Sequence, residues 1–201
     1  MATSEPTLVC RPKRADARRN YDALIGAGRA AFAELGAGAS LEEIARRADV
    51  GIGTLYRHFP SRQELIEAVY VEEVEALCRS AEELDDLPPW DALIGWLDGF
   101  VSYVATKRAL AEELMATVGA DSPMFRKCHD AITTAGQPLV TRAQQAGAVR
   151  PDVTFLDVIR LVSGVTMIKT ASADDIRRLL RMALDGLRYR EPSSPSAEAA
   201  H

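Results

Sequence analysis

Apolar residues in this 201-residue chain recur every three or four positions from one end to the other, and no segment sustains the alternation of a half-buried strand. That period collects apolar side chains on one stripe of a helix, so the expected fold is all-α, helix packed on helix. Composition agrees, since 47% of the residues are apolar, enough for a real core. No apolar run reaches the roughly 18 to 20 residues that cross a bilayer, and no membrane partner is expected. Residues 1–14 carry their charge after their few apolar residues, unlike a secretory leader, which predicts a cytoplasmic protein. Cys10, Cys78 and Cys128 are odd in number and in no ligand spacing with the three histidines, so neither a disulfide framework, a metal site nor a cofactor is expected.

Punctuation divides the pattern. Tyr21, Leu24, Ile25, Ala31, Phe32 and Leu35 form the stripe of a helix over 18–35, ended by Gly36-Ala37-Gly38. Ser40 followed by Glu43 matches a capping box and predicts a short helix over 41–48. Asp49, tolerant of a left-handed backbone, and Gly51 then make a turn. A second short helix over 52–59 stops ahead of Pro60, and Ser61 caps a long one reaching about residue 84. The break Asp85 to Pro89 is a candidate boundary. Helices are expected beyond it over 90–106, 107–118, 123–146 behind Ser122, 154–169, and 173–189 behind Ser172, about nine in all. Residues 191–201 are polar and proline-broken, the composition of a disordered tail.

Two short helices joined by a tight turn make the helix-turn-helix pattern, here over 41–60. Ile44, Ala45, Ala48, Val50, Leu55 and Phe59 are apolar or small where the pair must pack on itself and on Phe32. That leaves Gly51, Ile52, Gly53, Thr54, Tyr56, Arg57 and His58 outward on the second helix, where a major-groove reader needs them. Glycines let a backbone approach closely, Thr54 offers a hydroxyl and a methyl, and Tyr56 and His58 are flat donors with little entropy to lose. Arg62 and Ser40 are candidate phosphate contacts. Residues 1–17 form a basic arm in which Arg11 to Arg14, with Arg18 and Arg19, can follow the adjacent minor groove.

The run Ser40 to Leu65, above all Gly53-Thr-Leu-Tyr-Arg-His-Phe-Pro-Ser61, resembles the DNA-binding domain of the TetR family of bacterial transcriptional regulators, a resemblance covering about 18–77. It implies a three-helix head joined by the long helix to a C-terminal bundle, about 85–190, that senses a ligand and dimerises. It implies a homodimer on a palindromic operator, repression relieved by a small effector being the family's commonest mode. The chain departs from the family pattern, having Asp49 for the usual Gly, Gly51 for Ser and Ile52 for Lys or Arg. Ile52 is expected to shift base preference toward a thymine methyl. Residues 104–114 also resemble a segment of an actinobacterial subgroup.

In the C-terminal half, Trp90, Ile94, Leu97, Val101 and Val104 make one stripe and Leu93, Trp96, Phe100 and Tyr103 a second, so that helix must be enclosed. Trp96, Phe100, Tyr103, Met115, Met124, Phe125, Cys128 and Met167 are candidates for an apolar effector cavity, with tight core packing as the alternative. Phe155, Val158, Ile159 and Val162, then Ile176, Leu179, Leu180, Ala183, Leu184 and Leu187, make stripes wide enough for a two-fold four-helix interface.

Charge is distributed to match. Residues 1–62 hold 10 Lys and Arg against 7 Asp and Glu, and residues 63–201 hold 14 against 22, so a basic head precedes an acidic body. A protein-binding adaptor using Tyr56 and Arg57 is an alternative reading. An enzyme is disfavoured and no catalytic residue is expected: Cys128 and His129, adjacent on a helix, point about 100° apart, and the pairs Glu42-Glu43, Glu112-Glu113 and Asp174-Asp175 suit caps and solvated faces.

Overall fold

The computed structural model describes residues 11–117, 122–168 and 172–188. Among them lie eight α-helices: α1 (Ala15–Leu35), α2 (Leu41–Arg47), α3 (Ile52–His58), α4 (Arg62–Glu83), α5 (Pro89–Thr117), α6 (Pro123–Gln145), α7 (Phe155–Thr166) and α8 (Ala173–Asp185). One 3-10 turn, Gly36–Gly38, and an isolated bridge between Val149 and Arg188 complete the regular structure. The expected arm residues 1–10, Tyr189 and the tail 191–201 lie outside the described residues.

Caps fall where the hydroxyls predicted them. Ser61, Ser122 and Ser172 each accept a backbone N–H of the first turn they precede. Thr154 and Ser172 complete reciprocal boxes with Asp157 and Asp175, so these carboxylates serve helix termini, not chemistry. At Ser40 only half the expected box forms. Its hydroxyl accepts from Glu43 N at 3.1 Å, but the Glu43 carboxylate turns to Arg46 and Arg47. Charged donors on the same face outbid a backbone amide.

Two helices expected over 90–106 and 107–118 are one, α5, 29 residues long. Between Val101 and Leu114 there is no glycine, proline or cap to interrupt the ladder, and alanine and leucine favour its continuation. α7 and α8 end at Thr166 and Asp185, short of the expected 169 and 189.

Packing centres on α4. Leu65, Ile66, Val69, Tyr70, Val71, Val74 and Leu77 are all buried, enclosed by α1, α5 and α6. Gly28 lets α1 come close, because a Cβ there would stand 3.1 Å from Val69 Cγ2. The apolar core runs unbroken from Tyr21 on α1 to Leu187 beyond α8. A break at 85–89 therefore marks a change of helix and not a gap between cores. Polar ties cross the same seam: Glu73 of α4 pairs with Arg29 of α1 and accepts from Thr106 of α5, and Trp96 Nε1 donates to Leu77 O at 3.1 Å. Burial pushes the Glu73 carboxyl above its ordinary value in spite of Arg29.

Candidate nucleic-acid interface

α2 and α3 meet through residues 48–51. Asp49 adopts φ 54°, the left-handed conformation that an Asp tolerates and that reverses the chain in so short a turn. Val50 N donates to Ala45 O at 3.0 Å and closes α2, while Thr54 N donates to Gly51 O at 2.8 Å and opens α3. Ile44 and Leu55 are fully buried, with Ala45, Phe59 and Phe32 nearly so, and the Phe59 ring lies 5.3 Å from that of Tyr21. One side of α3 is thereby committed to the core.

The other side carries Gly51, Ile52, Gly53, Tyr56 and Arg57 to solvent, Ile52 being 38% and Tyr56 46% exposed. Nothing inside the chain requires glycine at 51 or 53, since neither has a positive φ and a Cβ at either would meet nothing within 4 Å. Gly53 nonetheless costs about 1 kcal/mol of helix propensity against alanine. Both glycines therefore leave open space on the outward face of α3. Thr54 and His58 are half-buried at the flank, and the His58 ring sits edge-on to Tyr21 at 6.3 Å. His58 thus packs as well as faces outward.

Two expected contacts point elsewhere. Arg62 donates to the Ala39 carbonyl and lies 5.2 Å over the Phe32 ring, stapling α4 to the turn before α2. Arg11 pairs with the buried Glu72 carboxylate of α4, so the described end of the arm folds back on the protein. Arg14, at the N-cap of α1, and Arg18, whose Nε reaches Pro12 O at 3.5 Å, are exposed. Arg18 stands one turn before Tyr21 on α1, and Tyr21 meets His58 at the end of α3.

Charge sharpens the picture. Arg46 and Arg47 are taken up by Glu43 and Glu34, and hydrogen bonds from Arg46 and then Arg47 hold the Glu43 carboxyl down to about 2. Lys13, Arg14, Arg18, Arg19 and Arg57 make no ion pair with a described residue.

A buried-on-one-side helix pair with a tight turn, its second helix presenting glycine backbone, an aromatic hydroxyl and an unpaired arginine, defines a helix-turn-helix DNA-binding regulator. Residues 24–69 match the family model for bacterial regulatory proteins of the tetR family, and residues 88–189 match that for the C-terminal domain of SbtR-like transcriptional regulators. The HTH-type transcriptional regulator UidR of Escherichia coli strain K12 is 30% identical over 173 residues, 82% of this chain and 87% of that one. The crystal structure of the TetR transcriptional regulator SCO0520 from Streptomyces coelicolor superposes with a TM-score of 0.75 at 37% identity, covering 86% of this chain and 99% of that chain. A TetR regulatory protein from Mycobacterium vanbaalenii does so with a TM-score of 0.69 at 32% identity, covering 88% and 99%. The chain belongs to the TetR family of transcriptional regulators.

The residues expected to line an effector cavity divide. Trp96 stacks on Phe100 at 5.9 Å, Phe100 meets Tyr103 at 5.7 Å, and Tyr103 meets Tyr70 of α4, which meets Phe125 at 5.4 Å. Cys128 is buried beside them, its thiol pushed up to about 11 by burial, the opposite of an activated nucleophile. Met124 is half-buried, whereas Met115 and Met167 are 55% and 64% exposed, unlike the fully buried Trp96. Period alone cannot place the two methionines, because both stand near helix ends where the packed stripe runs out. A hydrogen bond of 2.9 Å joins the Tyr70 and Tyr103 hydroxyls inside this cluster, a partner on α4 that the sequence pattern did not single out.

The expected interface residues divide too. Val158, Val162, Leu180, Leu184 and Leu187 are buried within the chain itself. Phe155 points inward, 5.9 Å from Trp96 and against Gly136, where a Cβ would stand 2.4 Å from the Trp96 ring. Ile159, Ile176, Leu179 and Ala183 are half-buried. Outward on the α7–α8 hairpin stand Leu156 at 42%, Met167 at 64% and Met182 at 63% exposure. Leu156 and Met182 were missed because each flanks a wider stripe, and the stripe is what a period detects.

Proposed function

We propose that the protein is an effector-responsive repressor of the cytoplasm that binds a palindromic operator as a homodimer. The outward face of α3 carries this reading. Two copies of that face, held by a two-fold axis, match half-sites roughly 34 to 36 Å apart in the major groove. Tyr56, Arg57 and Thr54 supply base and phosphate contacts, Gly51 and Gly53 let backbone approach, and Arg14 and Arg18 reach the flanking phosphates. Ile52, where a cation is usual in the family, favours a thymine methyl in the half-site.

The two-fold contact uses the exposed flank of α7 and α8, with Leu156, Ile159, Met167, Leu179, Met182 and Ala183 meeting their equivalents. Leu156, Met167 and Met182 leave an apolar strip in water that a second copy covers. Coupling between the ends rests on the ring ladder from Phe155 through Trp96, Phe100 and Tyr103 to Tyr70, which links a self-association helix to the helix that carries the head. A small, largely apolar effector that enters beside Phe100, Tyr103, Phe125 and Cys128 must part Tyr103 from Tyr70. An effector favouring that displaced arrangement weakens DNA binding by the same factor by which DNA weakens its own binding.

Selection from a pool of random duplex DNA at about physiological salt, where non-specific binding is weak, tests the reading. Enrichment of an inverted repeat is the expected result. Folded protein that enriches no repeat, or enriches one unchanged by Tyr56→Ala with Arg57→Ala, overturns it.

A further inference from the structure

A groove of about 840 Å³ lies between α5 and α8, away from the ring cluster and from α3. Part of its wall is apolar, with Ile94 and Val101 from α5 and Ile176, Leu180 and Leu184 from α8. That volume falls inside the range of small-molecule sites, roughly 300 to 1,000 Å³.

Its charge runs against that of its surroundings. Residues 63–201 carry 22 acidic against 14 basic residues, yet the groove gathers Arg108, Arg177, Arg181 and Arg188 against Asp98 and Asp185 alone. Internal pairing does not consume all of this. Arg177 pairs with Asp174, and Arg188 pairs with Asp185 at 3.5 Å while lying 4.3 Å over the Trp90 ring. Arg108 gives one N–H to Thr166 O at 3.1 Å, and neither it nor Arg181 forms an ion pair with a described residue. Asp98 is the single acidic lining residue without such a pair, so the groove keeps an excess positive charge beside its aliphatic side chains.

The flank proposed for self-association lies on another side of α8. At about 100° per residue, Leu180, Arg181 and Leu184 occupy one flank of α8 and Leu179, Met182 and Ala183 another.

We propose that this groove is a binding site for a small amphipathic carboxylate, its apolar body laid between α5 and α8 and its carboxylate held by Arg181 and Arg108. Guanidinium forks take a carboxylate through paired N–H donors, and the aliphatic walls exclude water from the rest of the molecule. The site is separate from the ring cluster, and its occupancy does not depend on whether the protein releases DNA.

Calorimetric titration of the full chain with sodium decanoate, and with 1-decanol as the uncharged match, tests it. One decanoate per protomer is expected, with 1-decanol weaker by about tenfold or more for want of the charge-assisted bonds. Arg108→Ala with Arg181→Ala should weaken decanoate by about tenfold, both side chains being at the surface where their loss spares the fold. Ser102→Trp, which fills the groove and leaves its charge, should do the same, whereas Tyr103→Phe in the ring cluster should not. Absence of decanoate binding, equal binding of 1-decanol, or affinity unchanged in both the arginine and the Ser102 variants overturns the proposal.

Discussion

α2–α3 and α7–α8 are the same device, two helices joined by a short connection that bury one side against the rest of the chain and leave the other in water. They differ in what they leave out. α3 presents Gly51, Ile52, Gly53, Tyr56 and Arg57, and the α7–α8 hairpin presents Leu156, Met167 and Met182. A face of backbone, hydroxyl and cation suits a hydrated polyanion, whereas one of thioethers and leucine is satisfied only by another apolar face. The buried side makes each pair a structural unit, and the composition of its outward side decides the class of partner.

The largest effect should come from breaking the shared half of the comparison. Leu55 is fully buried between α3 and the core, and Leu55→Ala should cost about 2 to 5 kcal/mol, read as a lower denaturant midpoint. Equal loss of operator binding and of fold would follow, because Leu55 is the one buried side chain between Ile52 and His58.

Next comes the apolar face. Leu156→Arg with Met182→Arg should convert the proposed dimer to a monomer in sedimentation, lower the unfolding temperature only by the stabilisation that self-association gave, and lower operator affinity about a hundredfold, roughly 2.7 kcal/mol. A variant that stays dimeric would move the contact off this flank.

Gly53→Ala separates stability from recognition. Alanine should add about 1 kcal/mol of helix stability, since nothing inside the chain opposes a Cβ there. It should also weaken operator binding about tenfold if backbone approaches DNA at this point. Gain of stability without loss of affinity would show the glycine to be incidental.

Smallest is the acid response of the head. Glu43 titrates near 2 in the folded protein because Arg46 and Arg47 bond its carboxylate, and near its ordinary value of about 4.3 when unfolded. Between those values the unfolded chain takes up the proton first, so the contribution is present above the ordinary value and is lost as pH falls toward 2. Glu43→Gln should flatten that part of an acid-melting curve.

Much of this was legible beforehand. The motif from Ser40 to Ser61 placed α2, the turn and α3 within a residue or two, because caps, glycine, proline and a left-handed Asp act through neighbours in the chain. The fate of Arg62 was not legible, since it bonds a carbonyl 23 positions away. Nor was that of Phe155, turned inward by the space above Gly136. For the same reason the sequence separated Tyr70 from Tyr103 by 33 positions and only packing joined their hydroxyls.

The capped helix starts, the helix-turn-helix segment and the family were thus determined by sequence alone, since capping and motif are local properties that survive without knowledge of the fold, whereas the fusion of 90–106 with 107–118 into α5 and the ends of α7 and α8 were not. Which apolar residues became core, which were left for a partner, and where a groove opened between α5 and α8 were decided by tertiary structure. A stripe states only that one side of a helix avoids water. Whether a neighbouring helix, a second copy or a ligand covers it depends on distances between elements that the pattern does not contain.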